Sequence, residues 1–411
     1  MEKVAADLPV ARSAPLRSAA FRRYLSANLV SATGSAMAPL ALAYSVIGEG
    51  GGAGDLGLVL ATNTVPTILF LLVGGVLADR LSRSRMLFLG NLVAAVAQGM
   101  LAVIVATGQA STASIAACGF VSGTAMAFTV PAAQGAVGQI VPAEQLQQAN
   151  ALLRLPGNAV KVLGPAAGGA VVAVSGPAWA LAWDALTFAV AAVLLLGLRL
   201  DAPVTLTSAL GDLREGWSGF WARTWLWTYT AAGTVLVAAW LAGYQLLGPV
   251  VTARHYAGAR DWGLVQAAFA AGLLAGTVVC LRWRPYRLLT VAVVSCLPLA
   301  APLLALGAQL SLPWVMSATF LAGIGLDVTI VAWGTAFQQH VPQGELGRMS
   351  AFNSVGERLA IPLGYLLTAF AAGVWDERTV LVACAGLVVA AVILNLCVPD
   401  VYRINRRAGQ G

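Results

Sequence analysis

The chain is a succession of apolar runs, each about 20 residues long, separated by junctions too short to fold alone. A helix needs about that length to cross the hydrocarbon core of a bilayer. Measured this way, spans are expected near 23–47, 56–78, 84–107, 112–140, 147–173, 177–198, 225–251, 260–281, 287–308, 313–339, 347–372 and 378–398. Twelve spans divide six and six about the segment 199–224. Only 10% of the 411 residues are charged and 59% are hydrophobic. A soluble domain carries about 25% charged residues, so lipid is the expected solvent.

The net charge of +7 does not point to nucleic acid. The basic residues lie in short clusters between apolar runs, the pattern that orients a membrane protein. Lys3, Arg12, Arg17, Arg22 and Arg23 precede the first span, and Arg80, Arg83 and Arg85 follow the second. Arg282, Arg284 and Arg287 follow the eighth, and Arg403, Arg406 and Arg407 follow the last. Intervening junctions are poor in Lys and Arg, except the seventh-to-eighth, with Arg254, His255, Arg260 and Asp261. Both termini are expected in the cytoplasm of a multi-pass plasma-membrane protein. The first 20 residues lack the apolar core of a secretion signal. The expected organisation is a cytoplasmic tail (1–22), a six-helix bundle (23–198), a cytoplasmic linker (199–224), a second bundle (225–398) and a tail (399–411). In the linker, Leu213, Trp217, Phe220 and Trp221 share one helical face opposite Asp212, Arg214 and Glu215, which predicts a helix lying in the membrane interface.

Residues 119–164 overlay 319–364 at a constant offset of 200. Identities include Phe120/Phe320, Gly123/Gly323, Thr129/Thr329, Gln139/Gln339, Val141/Val341, Pro142/Pro342, Leu146/Leu346 and Gly164/Gly364. A parallel repeat of six spans describes a transporter whose substrate cavity lies at the midplane between two related halves. The expected fold is all-α: twelve transmembrane helices in two pseudo-symmetric six-helix bundles.

The second-to-third junction reads Gly75-Val-Leu-Ala-Asp79-Arg80-Leu-Ser-Arg83-Ser-Arg85. It resembles the major facilitator signature G-x-x-x-D-R-x-G-R-x-R, with Ser82 where the family has its central glycine. Gly75 allows two helices to approach closely, and Asp79 can face the positive N-terminus of a neighbouring helix. The resemblance implies a conformational latch formed by Gly75, Asp79, Arg80, Arg83 and Arg85 on the eleventh span, with Arg348 as an added partner. The second half has lost the equivalent acid (Val279-Cys280-Leu-Arg282). In the fifth span, Gly164-Pro165-Ala-Ala-Gly168-Gly169 resembles the G-P-x-x-G-G motif of exporters. Glycines there permit close packing and Pro165 bends the helix. With Phe128-Thr-Val-Pro131, Val141-Pro142-Ala-Glu-Gln-Leu146 and Phe21-Arg22-Arg23-Tyr24-Leu25, the sequence resembles the macrolide and catecholate-siderophore exporter branch. Alternating access is what that resemblance implies.

Charged groups inside a span cost about 2.5–3.5 kcal/mol each on insertion scales, so those present are candidates for function. Glu357, Asp327 and Asp184 are candidate proton carriers, although the fourth span has no basic residue between Ala116 and Gln134. Asn28, Ser31, Ser35, Asn63, Arg154, Lys161, Trp240, Tyr244, Gln245, Trp333 and Arg358 are candidate lining residues of a substrate cavity. Each has a structural alternative: ion pairing, helix packing or, for Arg154, snorkelling to the interface.

Five scattered cysteines read as small buried residues, and two histidines exclude a histidine-rich metal site. No phosphate-binding loop, metal cluster or nucleophile triad is present, so neither ATP-driven pumping nor catalysis is expected, and no cofactor. The expected function is proton-coupled export of a small amphipathic organic compound by a monomer in the bilayer. The alternative is uptake of a small metabolite, which would call for denser polar groups in spans one, four, seven and ten than their Ala, Val, Leu and Gly provide.

Overall fold

A computed structural model of the chain describes residues 14–70, 82–142, 145–198, 200, 218–283, 285–342 and 346–406. Twelve membrane-scale helices run through them. They are α1 (Ala19–Gly48), α2 (Ala53–Leu69), α3 (Arg83–Ala106), α4 (Thr112–Ile140), α5 (Leu146–Ser175) and α6 (Pro177–Leu195), then α7 (Thr224–His255), α8 (Ala259–Arg282), α9 (Leu288–Gly307), α10 (Leu312–His340), α11 (Leu346–Val374) and α12 (Glu377–Leu396). Ten of them are long and apolar enough to cross a membrane; α2, with 17 described residues, and α11 complete the expected twelve. Short polar caps set their ends. Ser18 accepts from Phe21 N at the start of α1, Ser111 and Ser114 form a capping box on α4, and Asp376 accepts from Thr379 N on α12. Of the interfacial helix expected in the linker, residues 218–221 are helical, with Phe220 buried and Trp221 exposed; Leu213 and Trp217 lie outside the described residues.

The repeat read in the sequence returns as equivalent contacts. Gly123 of α4 packs on the backbone of Asn63 in α2, and Gly323 of α10 packs on Phe269 and Gly272 in α8. Gly164 of α5 meets Ala36 of α1, and Gly364 of α11 meets Ala238 of α7. Thr129 reaches Gly90 of α3, and Thr329 donates to Ala292 O of α9 at 3.0 Å. Val141 and Val341 both end their helices in extended backbone, each N–H returning to a carbonyl one turn back. Two six-helix halves with the same internal packing follow from those shared positions.

The named contacts between halves gather at one end of the molecule, where the first-to-second, fifth-to-sixth and seventh-to-eighth junctions lie. Gly57 of α2 sits against Ala369 and Tyr365 of α11. Gly169 of α5 sits against Gly263 of α8, and the Tyr44 and Thr252 hydroxyls of α1 and α7 are 2.9 Å apart. At this same end Arg254, the first anomalous charge of the seventh-to-eighth junction, pairs with Glu377, while Asp261 accepts from Ala257 N at 3.0 Å, His255 lies 3.2 Å from Gln309 and Arg260 is exposed. Arg254 therefore carries no uncompensated positive charge there.

One helix departs from the expected geometry. Within α7, Leu241–Leu247 winds as a π segment, a local widening that turns the residues beyond it relative to an α-helical register. Gly248, just after it, packs against the Trp262 ring, where a Cβ would lie 2.2 Å from the ring edge.

Candidate functional site

Directly inside the sealed end is a cavity of about 130 Å³ lined by both halves. Ala36, Pro39, Leu40 and Ala43 of α1, Leu60 of α2 and Pro165 of α5 form one wall. Gln245 and Pro249 of α7, Trp262 and Gln266 of α8 and Tyr365 of α11 form the other. Its walls are mainly apolar, with two amides for specificity, the usual chemistry of a small-molecule site. The Gln266 Oε1 is buried and has no hydrogen-bond partner among the described residues, so it remains available to a donor. Pro165 and Tyr365 occupy equivalent positions of the repeat and both face this cavity.

Below the cavity, toward the end carrying the chain termini, Arg154, Asn158 and Lys161 are exposed along α5. Successive steps of 4, 3 and 4 residues lead from Arg154 through Asn158 and Lys161 to Pro165, which places them on its helical face. On α1, Ser35 lies one turn from Pro39 and is exposed, and Asn28 is exposed farther along. These polar residues continue the helix faces of Pro165 and Pro39 from the cavity toward the terminus-bearing end. Among the described residues neither Arg154 nor Lys161 has an ion-pair partner.

The exporter-like glycines are structural. Gly164 and Gly168 seat α5 on Ala36 and Met37 of α1, where an added Cβ would lie 2.3 and 3.0 Å from side-chain carbons. Gly169 seats the same helix on α8 across the halves, and Pro165 between them faces the cavity.

The two candidate acids whose side chains are described, Asp184 and Asp327, do not converge. Asp184 is 1% exposed in α6 and packed against Gly34; one oxygen accepts from Ser35 Oγ at 3.5 Å, and the other has no partner among the described residues. Asp327 lies between α10 and α8, accepting from Thr277 Oγ1 at 3.0 Å beside Gly276. The side chains of Glu357, Arg358 and Arg348 lie outside the described residues, as do Gly75, Asp79 and Arg80. Arg83 opens α3, and Arg85 lines a hollow shared with Leu195, Leu196, Leu198 and Leu200 at and beyond the end of α6.

Several expected lining residues sit elsewhere. Trp240 and Tyr244 are buried in a ring cluster, stacked on each other at 4.4 Å, with Tyr244 also 4.8 Å from Trp262. The π segment turns Tyr244 toward α8 and leaves its neighbour Gln245 facing the cavity. Asn63 donates to Gly119 O at 3.1 Å and serves the α2–α4 contact. Ser31 donates to Asn28 O on its own helix at 3.2 Å. Trp333 stacks on Tyr229 at 3.9 Å inside the second half. Cys397 is exposed at the end of α12, unlike the buried Cys296 and Cys384. Sequence reasoning missed Trp262, Gln266 and Tyr365. Two signals could have found them: Gln266 is a lone amide in an apolar run, and Tyr365 is the repeat partner of Pro165.

No curated protein matches the chain. Solved structures of similar fold include the nucleoside transporter NupG, at TM-score 0.71 and 12% identity, covering 92% of this chain and 98% of that one. A POT family transporter in complex with 5-aminolevulinic acid aligns at TM-score 0.74 and 9% identity, covering 93% and 97%. A bacterial homologue of the iron transporter ferroportin in an inward-facing state aligns at TM-score 0.72 and 16% identity, covering 93% and 98%. At such identities these likenesses speak for the fold alone. A profile of the Major Facilitator Superfamily matches residues 24–365, and with twelve spans in two repeated halves around a shared cavity, the chain belongs to that superfamily.

Proposed function

We propose that this transporter exports a small amphipathic organic compound, an antibiotic, siderophore or other secondary metabolite, in exchange for protons. The observation that carries the reading is the cavity between the halves: sealed at one end by Gly57, Gly169 and Tyr44 contacts, apolar-walled, and equipped with Gln245 and Gln266. The apolar walls suit the apolar part of such a molecule and two amides offer donors and acceptors for its polar edge; at about 130 Å³ the cavity takes only one end of it in this arrangement. Arg154 and Lys161 along the approach favour substrates with an anionic or electron-rich polar end. Export is supported by the G-P-x-x-G-G stretch, whose last glycine here forms the contact between halves.

Coupling needs an acid that meets both faces of the membrane in turn. Asp184, bonded to Ser35, Asp327, bonded to Thr277, and Glu357 on α11 are the candidates for that role. Asp79, Arg80 and Arg348 are proposed to latch the terminus-bearing side, with both termini cytoplasmic in the plasma membrane and the monomer as the working unit.

The test is accumulation of labelled macrolides and catecholate siderophores in cells with and without the protein, with and without a protonophore. Lower accumulation on expression, abolished by the protonophore, is expected. Higher accumulation would reverse the assigned direction, and indifference to the protonophore would remove proton coupling.

A further inference from the structure

Inside the second half lies another cavity, of about 370 Å³, that the transport route just described does not use. Tyr229, Gly233 and Leu236 of α7, Leu326 and Trp333 of α10 and Asn395 of α12 are among its walls. That volume is within the range of pockets that bind small molecules. The Tyr229–Trp333 ring stack gives it a flat aromatic wall, with planes 13° apart. Gly233 leaves space: a Cβ built there meets no atom within 4 Å.

Three polar side chains of the lining, Thr329, Cys296 and Asn395, have hydrogen-bond partners that can be named. Thr329 Oγ1 donates to Ala292 O at 3.0 Å, and Cys296 Sγ to the same carbonyl at 3.4 Å. Asn395 is 3% exposed; its Nδ2 donates to Thr228 O at 3.0 Å, but its Oδ1 is buried with no partner among the described residues. An orphaned carbonyl in an apolar cavity is costly unless a donor meets it. On the far side of Asn395, a hollow of about 330 Å³ lies between α7 and α12, beside Val235, Leu387 and Leu394, which are exposed on the outer face. Ala232, Ala391 and Asn395 are common to both. The cavity therefore adjoins an apolar outer surface of the second half.

We propose that this cavity is a second binding site, for an apolar, preferably aromatic molecule bearing a single hydrogen-bond donor that Asn395 Oδ1 accepts. It takes a solute that dissolves in the bilayer, and it does not depend on the inter-half cavity, so either assignment can fail alone.

The test is saturation binding of tritiated 2-naphthol to the full-length protein in lipid nanodiscs, with partition into empty nanodiscs subtracted. Unlabelled 2-naphthol should compete about tenfold better than 2-methoxynaphthalene, which keeps the ring body and loses the donor. Asn395→Leu should erase that difference, and Gly233→Leu, which fills the cavity at a position open to a side chain, should abolish saturable binding. Equal competition by both compounds in the wild type would overturn the role of Asn395. Unchanged binding in Gly233→Leu, with unfolding of that variant shown by circular dichroism to be as cooperative as wild type, would overturn the site; the same follows if no saturable binding is seen.

Discussion

The contact of Gly169 with Gly263 can be turned into a measure of the balance between the two arrangements of the halves. In Gly169→Ala the new Cβ would lie 2.6 Å from Gly263 Cα and 3.1 Å from Ala259 O. Carbon atoms rest about 3.5–4.0 Å apart, so α5 and α8 must separate by about 1 Å at the sealed end. Such overpacking costs about 1–3 kcal/mol. Alanine also improves helix propensity by about 1 kcal/mol, but that gain is common to both arrangements and cancels between them. The clash belongs only to the arrangement sealed here. The ratio of the two should therefore shift by about 5- to 150-fold toward the opposite one. Spin labels at Val174 and Arg260, on the exposed ends of α5 and α8, report the separation by pulsed dipolar spectroscopy in a variant lacking the five native cysteines. The long-distance population should grow in Gly169→Ala and not in Gly386→Ala, where a Cβ meets nothing within 4 Å. Identical distributions in wild type and Gly169→Ala would refute the reasoning, because the glycine would then carry no differential contact.

Gly34→Val places a side chain where a Cβ is already 2.3 Å from Thr187 Oγ1 and 2.5 Å from Asp184; a fall in thermal stability of at least about 2 kcal/mol is expected by calorimetry. Asp184→Asn should keep substrate exchange across the membrane while removing gradient-driven flux, measured in proteoliposomes; full driven flux would clear Asp184 of coupling. Asp376 is held below its usual pKa by the Thr379 hydroxyl and backbone N–H. Its stabilising effect is thus present above the ordinary carboxylate value of about 3.9 and fades as pH falls through the lower folded value. Asp376→Ala should be less stable than wild type at neutral pH and converge with it on acidification, in melting curves taken from pH 7 downward.

What the sequence made legible rested on period and repetition. Span length located the helices, and residues paired by the 200-residue offset, Gly123 with Gly323 and Gly164 with Gly364, make matching contacts. The cavity was less legible for two physical reasons. A helical wheel assumes 3.6 residues per turn, and the π segment at Leu241–Leu247 breaks that assumption where it matters, burying Tyr244 and presenting Gln245. Long-range pairing is the second: Arg254 contradicts the charge pattern until Glu377, 123 residues away, is seen beside it.

The central claim is that two halves rock about a cavity sealed, in this arrangement, at the Tyr44–Thr252 end. Its most direct measurement joins Tyr44→Cys and Thr252→Cys, in the background without native cysteines, by a short bis-methanethiosulfonate reagent. Efflux of the compound identified by the accumulation assay is then followed before and after reduction. Bridging should stop efflux and reduction should restore it; undiminished efflux with that end tied shut would contradict the account.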